Sequence, residues 1–403
     1  MNDHDRCPRT GPLAGTRVID FGHVWAGPYC AATLADLGAE VIKVESSHRL
    51  DVHRRQGPYP NKVAGHDSSG VWNAQNRGKR SVTLNLRTKQ GRVLARRLVT
   101  SADVVVENFR PGVMNRLGLS FDRLSAEHPG LVYVSLSAFG QEGPQSQYVG
   151  YGPSLDAWAG LDSLTRYDGQ PPQSLGGVFA DTGSALYAVV AVISLLINRS
   201  RSGRGGYVDL SELEVTSLLI GDTVAEALSG QSQAPSTFPS TWNADVESCI
   251  RTSDGLWTFV DTSDEAVVDR LLPRQLPVGA DQRSDEGPFA DAGTRLQARA
   301  ATSTRSELIA ACTTQNVPAA PVYDVRDVLD DPHLRSRRYF RPIKHARTPT
   351  LPVYGPIWRF SHTPVGVAEA APELGEGNDY VLGKILGLSP DRIDELVARC
   401  VVS

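Results

Sequence analysis

The stretch Thr16–Glu45, TRVIDFGHVWAGPYCAATLADLGAEVIKVE, runs strand, loop, helix and strand in quick succession. Arg17–Phe21 suits a buried strand, Gly22–Gly27 a loop, and Pro28 the first turn of a helix. That helix is expected to reach Leu37, with Gly38 past its end and Glu40–Val44 as the second strand. Two strands joined through a helix pair in parallel, with a right-handed crossover lying on one face of the sheet. The unit therefore confines the chain to the α/β class. Glu45, at the tip of the second strand, resembles the ribose-binding acid of dinucleotide folds. The loop before it offers only Gly22 and Gly27 rather than G-x-G-x-x-G, so an NAD dehydrogenase is disfavoured.

The pattern then repeats. After a polar loop, Ser46–Gly70, a strand is expected over Ser81–Leu86 and an amphipathic helix over Lys89–Thr100. Ala102–Val106 reads as a buried strand delivering Glu107, Asn108 and Phe109 at its carboxyl end. Leu131–Leu136 does the same for Ser137, Ala138 and Phe139. Open α/β sheets bind ligands at that edge, so these strand ends and the loop after Phe21 are where a ligand would lie. Beyond Leu213 the character changes. GQSQAPSTFPSTWNADVES reads as linker, Gly255–Asp261 as a short strand, Gly279–Gly293 as exposed, and Leu296–Cys312 as helix. VPAAPVYDVRDVLDDPHL gives an extended segment and then a helix. SPDRIDELVARCVV closes the chain as an amphipathic helix capped by Ser389, with Pro390 in its first turn.

Between the two halves stands LGGVFADTGSALYAVVAVISLLINRSRSGRGGYVDLSELEV, from Leu175 to Val215. Its apolar run, Ala185–Ile197, is too short to span a bilayer and reads as a helix buried on all sides. Asp181 is placed as the N-cap, and Gly203 ends the helix. A carboxylate there is expected to stay ionised, because free N–H groups and the helix dipole favour the charge. Gly176, Gly177 and Gly183 leave room for another molecule to approach it. Those are the conditions of a carboxylate nucleophile; a plain structural cap is the alternative.

Charge and cysteine usage narrow the classes further. A net charge of −4 makes no case for nucleic acid or a bilayer as partner. Basic clusters at Arg54-Arg55, Arg77–Arg80, Arg199–Arg204 and Arg335–Arg338 read as solvated surface, with a polyanion as the less common reason. Five scattered cysteines without C-x-x-C or H-E-x-x-H spacing indicate neither a disulfide framework nor a metal site. The polar N-terminus has no apolar signal core, so a reducing, cytoplasmic setting is expected.

The order of DFGHVWAGPYCAATLADLGAEVIKVE, NRGKRSVTLNL, ADVVVENFRPGVMNRLGL, the ADTGSALYA helix, GRGGYVDLSELE, VPAAPVYDVRDVLDDPHL and APELGEGNDYVLGKILGL resembles the type III CoA-transferases. That group contains formyl-CoA transferase and carnitine CoA-transferase. The likeness covers nearly the whole chain and weakens between about Gln231 and Ala311. It implies a Rossmann-like large domain, residues 1–225 completed by 340–403, and a linker with a smaller α+β domain over 226–339. It also implies an interlocked homodimer, with a heteromer as the alternative. The substrates implied are an acyl-CoA donor and a carboxylic acid acceptor, with coenzyme A as the carried group and no metal.

By the same resemblance, Asp181 attacks the acyl-CoA thioester, giving an aspartyl–acyl anhydride and then an aspartyl-CoA thioester. The CoA-binding positions carried over are Val24, Trp25, Ala26, Arg87, Asn108, Phe109, Arg116, Leu117 and Tyr151. Arg87 and Arg116 suit phosphates, although a surface ion pair fits either equally well. Phe109 alone would more readily be core. Racemases of the superfamily place a histidine where Tyr151 stands, and a phenol is a poor base near neutrality. Acyl-CoA racemisation, or a non-catalytic CoA-binding subunit, are therefore the alternative readings. His23 reads first as a structural hydrogen bonder. Two departures stand out: STWNADVESC replaces a glycine-rich loop between Ser232 and Ser253, and Gly377 replaces a tail histidine.

Overall fold

The computed structural model describes residues 10–60, 62–165, 170–230, 246–262, 270–271, 292–366 and 369–403. Contacts divide the chain into two compact units, Met1–Ser236 with Arg338–Ser403, and Thr237–Arg337.

The first unit is built on six parallel strands: β1 (Arg17–Asp20), β2 (Glu40–Glu45), β3 (Lys79–Thr83), β4 (Val104–Glu107), β5 (Val132–Ser137) and β6 (Gly206–Ser211). Their order is β3-β2-β1-β4-β5-β6, with every neighbouring pair parallel. Helices α1 (Ala26–Asp36), α2 (Gly70–Gln75), α3 (Lys89–Thr100), α4 (Val113–Leu117) and α5 (Phe121–Ser125) fall among the first five strands. Helices α6 (Gly152–Trp158), α7 (Leu161–Leu164) and α8 (Phe179–Ser202) lie between β5 and β6; α9 (Glu212–Leu218) and α10 (Gly221–Leu228) follow.

Period-two alternation splits the strands between two cores. Val18, Val41, Val104, Val106, Val132 and Val134 meet α1 and α8 on one face. Ile19, Ile42, Val105 and Tyr133 meet α3 and α5 on the other. The C-terminal tail joins that second core through Val381, Leu382, Leu386, Leu396, Val401 and Val402. Asn85 N–H reaches Val401 O at 2.8 Å, and Thr83 N–H reaches Asn378 Oδ1 at 2.9 Å. The expected βαβ opening, the Lys89–Thr100 helix and the Ser389-capped terminal helix (Pro390–Ala398) are all present. Strand β6 was not expected; Tyr207 and Asp209 are exposed along it because it lies at the edge of the sheet, so it lacks the unbroken apolar run of the central strands.

Helix α8 corrects three expectations. It begins at Phe179 with Val178 as N-cap, which puts Asp181 inside the first turn rather than at the cap. It is not buried on all sides: Ala180, Ser184, Ala185, Ala188, Val189 and Val192 face the fold, while Tyr187, Val190 and Ile197 are exposed. It is also 24 residues long, with mean hydropathy 1.8 over its most apolar window, so by length and composition it could cross a membrane. Alanine and serine on its buried face let it lie close against α1 and β5, and that packing accounts for its apolar character. Gly203, at φ 72°, ends it in the left-handed conformation.

The second unit contains an antiparallel sheet of β7 (Val246–Arg251), β8 (Trp257–Thr262) and β9 (Ala319–Pro321). Strand β7 begins inside the stretch read as linker. The helix expected over Leu296–Cys312 is two, Ala292–Ala301 and Arg305–Thr314, because Thr304 starts a new one with a capping box to Glu307. Residues 279–291 of the stretch expected to be exposed, and most of the stretch where the glycine-rich loop was sought, lie outside the described residues.

Candidate active site

Strand order reverses between β1 and β4, and the crevice above their carboxyl ends is where doubly wound sheets take ligands. The loop leaving β1 crosses that crevice. Asn108, at the end of β4, clamps it from one side: its Oδ1 accepts His23 N–H at 2.7 Å, and its Nδ2 donates to His23 O at 2.8 Å. Phe109 stands 5.5 Å from the His23 ring. Beneath the loop, Gly22 N–H donates to Asp20 Oδ1 at 2.7 Å, and Lys43 Nζ donates to Gly22 O. Lys79 Nζ completes this buried cluster with Asp20 Oδ2 and Pro28 O, both at 2.8 Å.

The next residue, Val24, has φ 65°. A β-branched side chain there is strained by about 1–3 kcal/mol and persists only when its surroundings hold it. Buried Asp51 does so, with Oδ2 accepting Val24 N–H at 3.0 Å and Oδ1 accepting His53 N–H at 2.9 Å. Trp25 then caps α1, its ring edge-on to His53 and its indole N–H buried without a partner among the described residues.

Three helix starts converge after that loop. Ala26 opens α1, Gly152 opens α6, and Asp181 sits in the first turn of α8. The backbone N–H groups of Ala26 and Gly152 both donate to the Asp181 carboxylate. Such donors favour the charge, yet burial outweighs them and pushes the Asp181 pKa up to about 6, with Asp156 adding to the rise. The carboxylate is therefore still ionised at neutral pH, as expected of a helix start, but enclosure outweighs the dipole in setting where it titrates.

Asp156 on α6 is buried, accepts a hydrogen bond from Ala180 N–H, and leaves Oδ1 unpartnered among the described residues. Glu212 opens α9 and is also buried; burial, then the charge of Asp181, pushes it up to about 8. Asp51, Asp156 and Glu212 were missed in the sequence. Each sits in an ordinary-looking segment, and only folding gathers them.

The remaining candidates divide. Val24, Trp25, Ala26, Asn108 and Phe109 are brought together with Asp181 at the crevice. Tyr151 precedes Gly152 but is exposed. Arg87 and Arg116 are exposed, with no ion pair among the described residues, and Leu117 packs against the core. Glu107 fixes the backbone of Phe109, accepting its N–H at 2.8 Å and the Ser135 hydroxyl; burial pushes it up to about 7. His23 is held below the usual histidine range by burial and then by Lys43, so it is neutral.

Two expectations about charge fail here. Arg54 and Arg77 are not solvated surface: Arg54 forks onto Glu45 at 2.7 and 2.8 Å and stacks 3.6 Å over Trp72, and Arg77 pairs with Asp36. Glu45 is thereby occupied and cannot serve a ribose.

The family model described as CoA-transferase family III matches residues 13–378. The chain belongs to CoA-transferase family III. Among relatives, the succinyl-CoA–D-citramalate CoA-transferase of Chloroflexus aurantiacus is 31% identical, covering 98% of this chain and 99% of its own. The alpha subunit of succinyl-CoA–L-malate CoA-transferase from Chloroflexus aurantiacus is also 31% identical, over 98% and 94%. Among solved structures, a CAIB/BAIF family protein from Brucella suis superposes with a TM-score of 0.82 at 30% identity, covering 94% of this chain and all of that one. A family III CoA-transferase takes CoA thioesters as substrates, and racemisation is not favoured for this chain.

Proposed function

We propose that this family III CoA-transferase moves CoA from an acyl-CoA to a carboxylic acid through covalent intermediates on Asp181. The observation that carries the reading is the Asp181 carboxylate itself. It lies under two backbone N–H donors at a strand-switch crevice, enclosed but ionised above about pH 6. An Asp181 oxygen attacks the thioester carbonyl, the C–S bond breaks, and CoA leaves as thiolate with a mixed anhydride on Asp181. The thiolate attacks the aspartyl carbonyl, which releases the donor acid as carboxylate and leaves an aspartyl-CoA thioester. The acceptor carboxylate repeats the two steps in reverse, so no proton is gained or lost overall. The N–H groups of Ala26 and Gly152 are suited to stabilise the oxyanions that form.

Val24, Trp25, Ala26, Asn108 and Phe109 would hold the pantetheine end of CoA. Arg87 and Arg116, exposed and without ion pairs among the described residues, would meet phosphates. Leu117 would back that site from the core, and Tyr151 would flank the thioester. Succinyl-CoA is the donor we favour, because both relatives named above use it. The exposed apolar faces of α8, α9 and α10, with Val190, Leu218 and Leu228, support assembly as an interlocked dimer. Kinship to an alpha subunit keeps a heteromer as the second form.

The test is mass spectrometry after incubation with succinyl-CoA and hydroxylamine. Asp181 is expected to carry a hydroxamate; turnover without any adduct on the Asp181 peptide refutes the covalent route.

A further inference from the structure

We propose that Asp51 is a positioning residue, holding the loop at Val24 in its strained turn so that Ala26 N–H meets the Asp181 carboxylate. The proposal rests on the reading of Asp181 above and extends it to a residue that touches neither substrate nor nucleophile.

Three observations join here. Val24 is a β-branched residue with φ 65°, a conformation it abandons unless held. The side chain that holds it is Asp51, 2% exposed, which accepts Val24 N–H at 3.0 Å and is kept in place by His53 N–H at 2.9 Å. Asn108 already pins His23 in both directions, so the loop is fixed at residue 23 from β4 and at residue 24 from Asp51. Only two residues further on, Ala26 donates to Asp181. A valine free to return to negative φ would swing Trp25 and Ala26 as a unit, since no glycine lies between them. The groups facing Asp51 are Lys43, His23 and the two backbone donors; burial works to raise its pKa, but Lys43 above all and the two backbone donors outweigh that and hold it below the ordinary aspartate value. The His23 ring stands 3.7 Å away, too far for a hydrogen bond. Asp51 therefore acts on the loop as a fixed acceptor rather than as a proton carrier.

The test is a rescue experiment in the full-length enzyme. Asp51→Ala is expected to lower the rate of acyl transfer to Asp181 by about 30-fold or more, as a small misplacement of a catalytic donor does. It should also raise the titration midpoint of Asp181, read by carbon NMR of labelled aspartate, because one N–H donor is withdrawn. Adding Val24→Gly is expected to recover most of the loss, since glycine adopts positive φ without strain. Asp51→Asn, which keeps the shape but replaces one acceptor oxygen with a donor, answers the same question if the alanine variant is insoluble. A double variant no better than Asp51→Ala, or an unmoved Asp181 midpoint, overturns the proposal. The NMR midpoint needs no turnover, so it judges Asp51 even if wild-type enzyme forms no hydroxamate, a result that would instead remove the covalent reading.

Discussion

Gly152 and Asp181 occupy adjoining space that leaves no room for a side chain: a β-carbon at position 152 would overlap Oδ2 of Asp181. The glycine lets the backbone N–H that opens α6 approach the carboxylate directly. Gly152→Ala is therefore expected to lower kcat by about 100-fold or more, since either the donor or the nucleophile must move. Overpacking of this kind costs about 1–3 kcal/mol, so the variant should remain folded. Single-turnover acylation, with thermal melting as the control, checks it.

Acylation should follow the ionisation of Asp181. With its pKa raised to about 6 by burial, the nucleophilic fraction grows as pH climbs through that value. The rate is expected to rise tenfold per pH unit below about 6 and to level above it. A limb near the ordinary aspartate value, about 4, would mean that the carboxylate is more solvated than its enclosure indicates.

Glu212 predicts an unusual stability profile. Its folded-state pKa, about 8, lies above the unfolded value of about 4.3, so the folded protein holds that proton more tightly. Its contribution is intact below the unfolded value and is lost as pH rises toward 8. Glu212→Gln should therefore come nearest to wild type near pH 4 and exceed it at pH 8, by on the order of 4 kcal/mol. Denaturant melts at the two pH values test this, and equal gains at both would refute the buried-acid explanation.

Asn108→Ala removes both hydrogen bonds to His23 and leaves its N–H and C=O unmatched. A cost of about 1–3 kcal/mol is expected, together with a higher KM for acyl-CoA because the loop and Phe109 lose their anchor. Initial rates over a range of acyl-CoA, compared with the melting temperature, separate the two effects.

The arginines should behave as two kinds. Arg54→Met strands the buried Glu45 charge and is expected to cost about 3–5 kcal/mol. Arg87→Ala and Arg116→Ala, on the surface, should change stability by less than about 0.5 kcal/mol yet raise KM for CoA esters. Thermal melts and KM measurements on the three variants distinguish structural from ligand-facing charge.

That distinction could not be read from the chain, where Arg54-Arg55 and Arg77–Arg80 look like any basic surface run. Burial of an arginine depends on a carboxylate arriving from elsewhere: Glu45 from the end of β2, Asp36 from the end of α1. The apolar periodicities were legible because each lies within one element. Hence the βαβ opening, the α3 helix and the Ser389 cap could be placed within a few residues. The motif order around Asp181 and Asn108 was legible for the same reason.

The sequence by itself determined the parallel α/β sheet and the family, and singled out Asp181 as the residue to ask about, because local patterning and contiguous motifs are legible within single segments. Only the tertiary structure decided what surrounds that carboxylate. Ala26 comes from α1, Gly152 and Asp156 from α6, and Glu212 from α9, and their distances from Asp181 are set by how those helices seat on the sheet. The pKa of about 6 follows from that enclosure, since desolvation and neighbouring charge are properties of a packed site and not of any one segment.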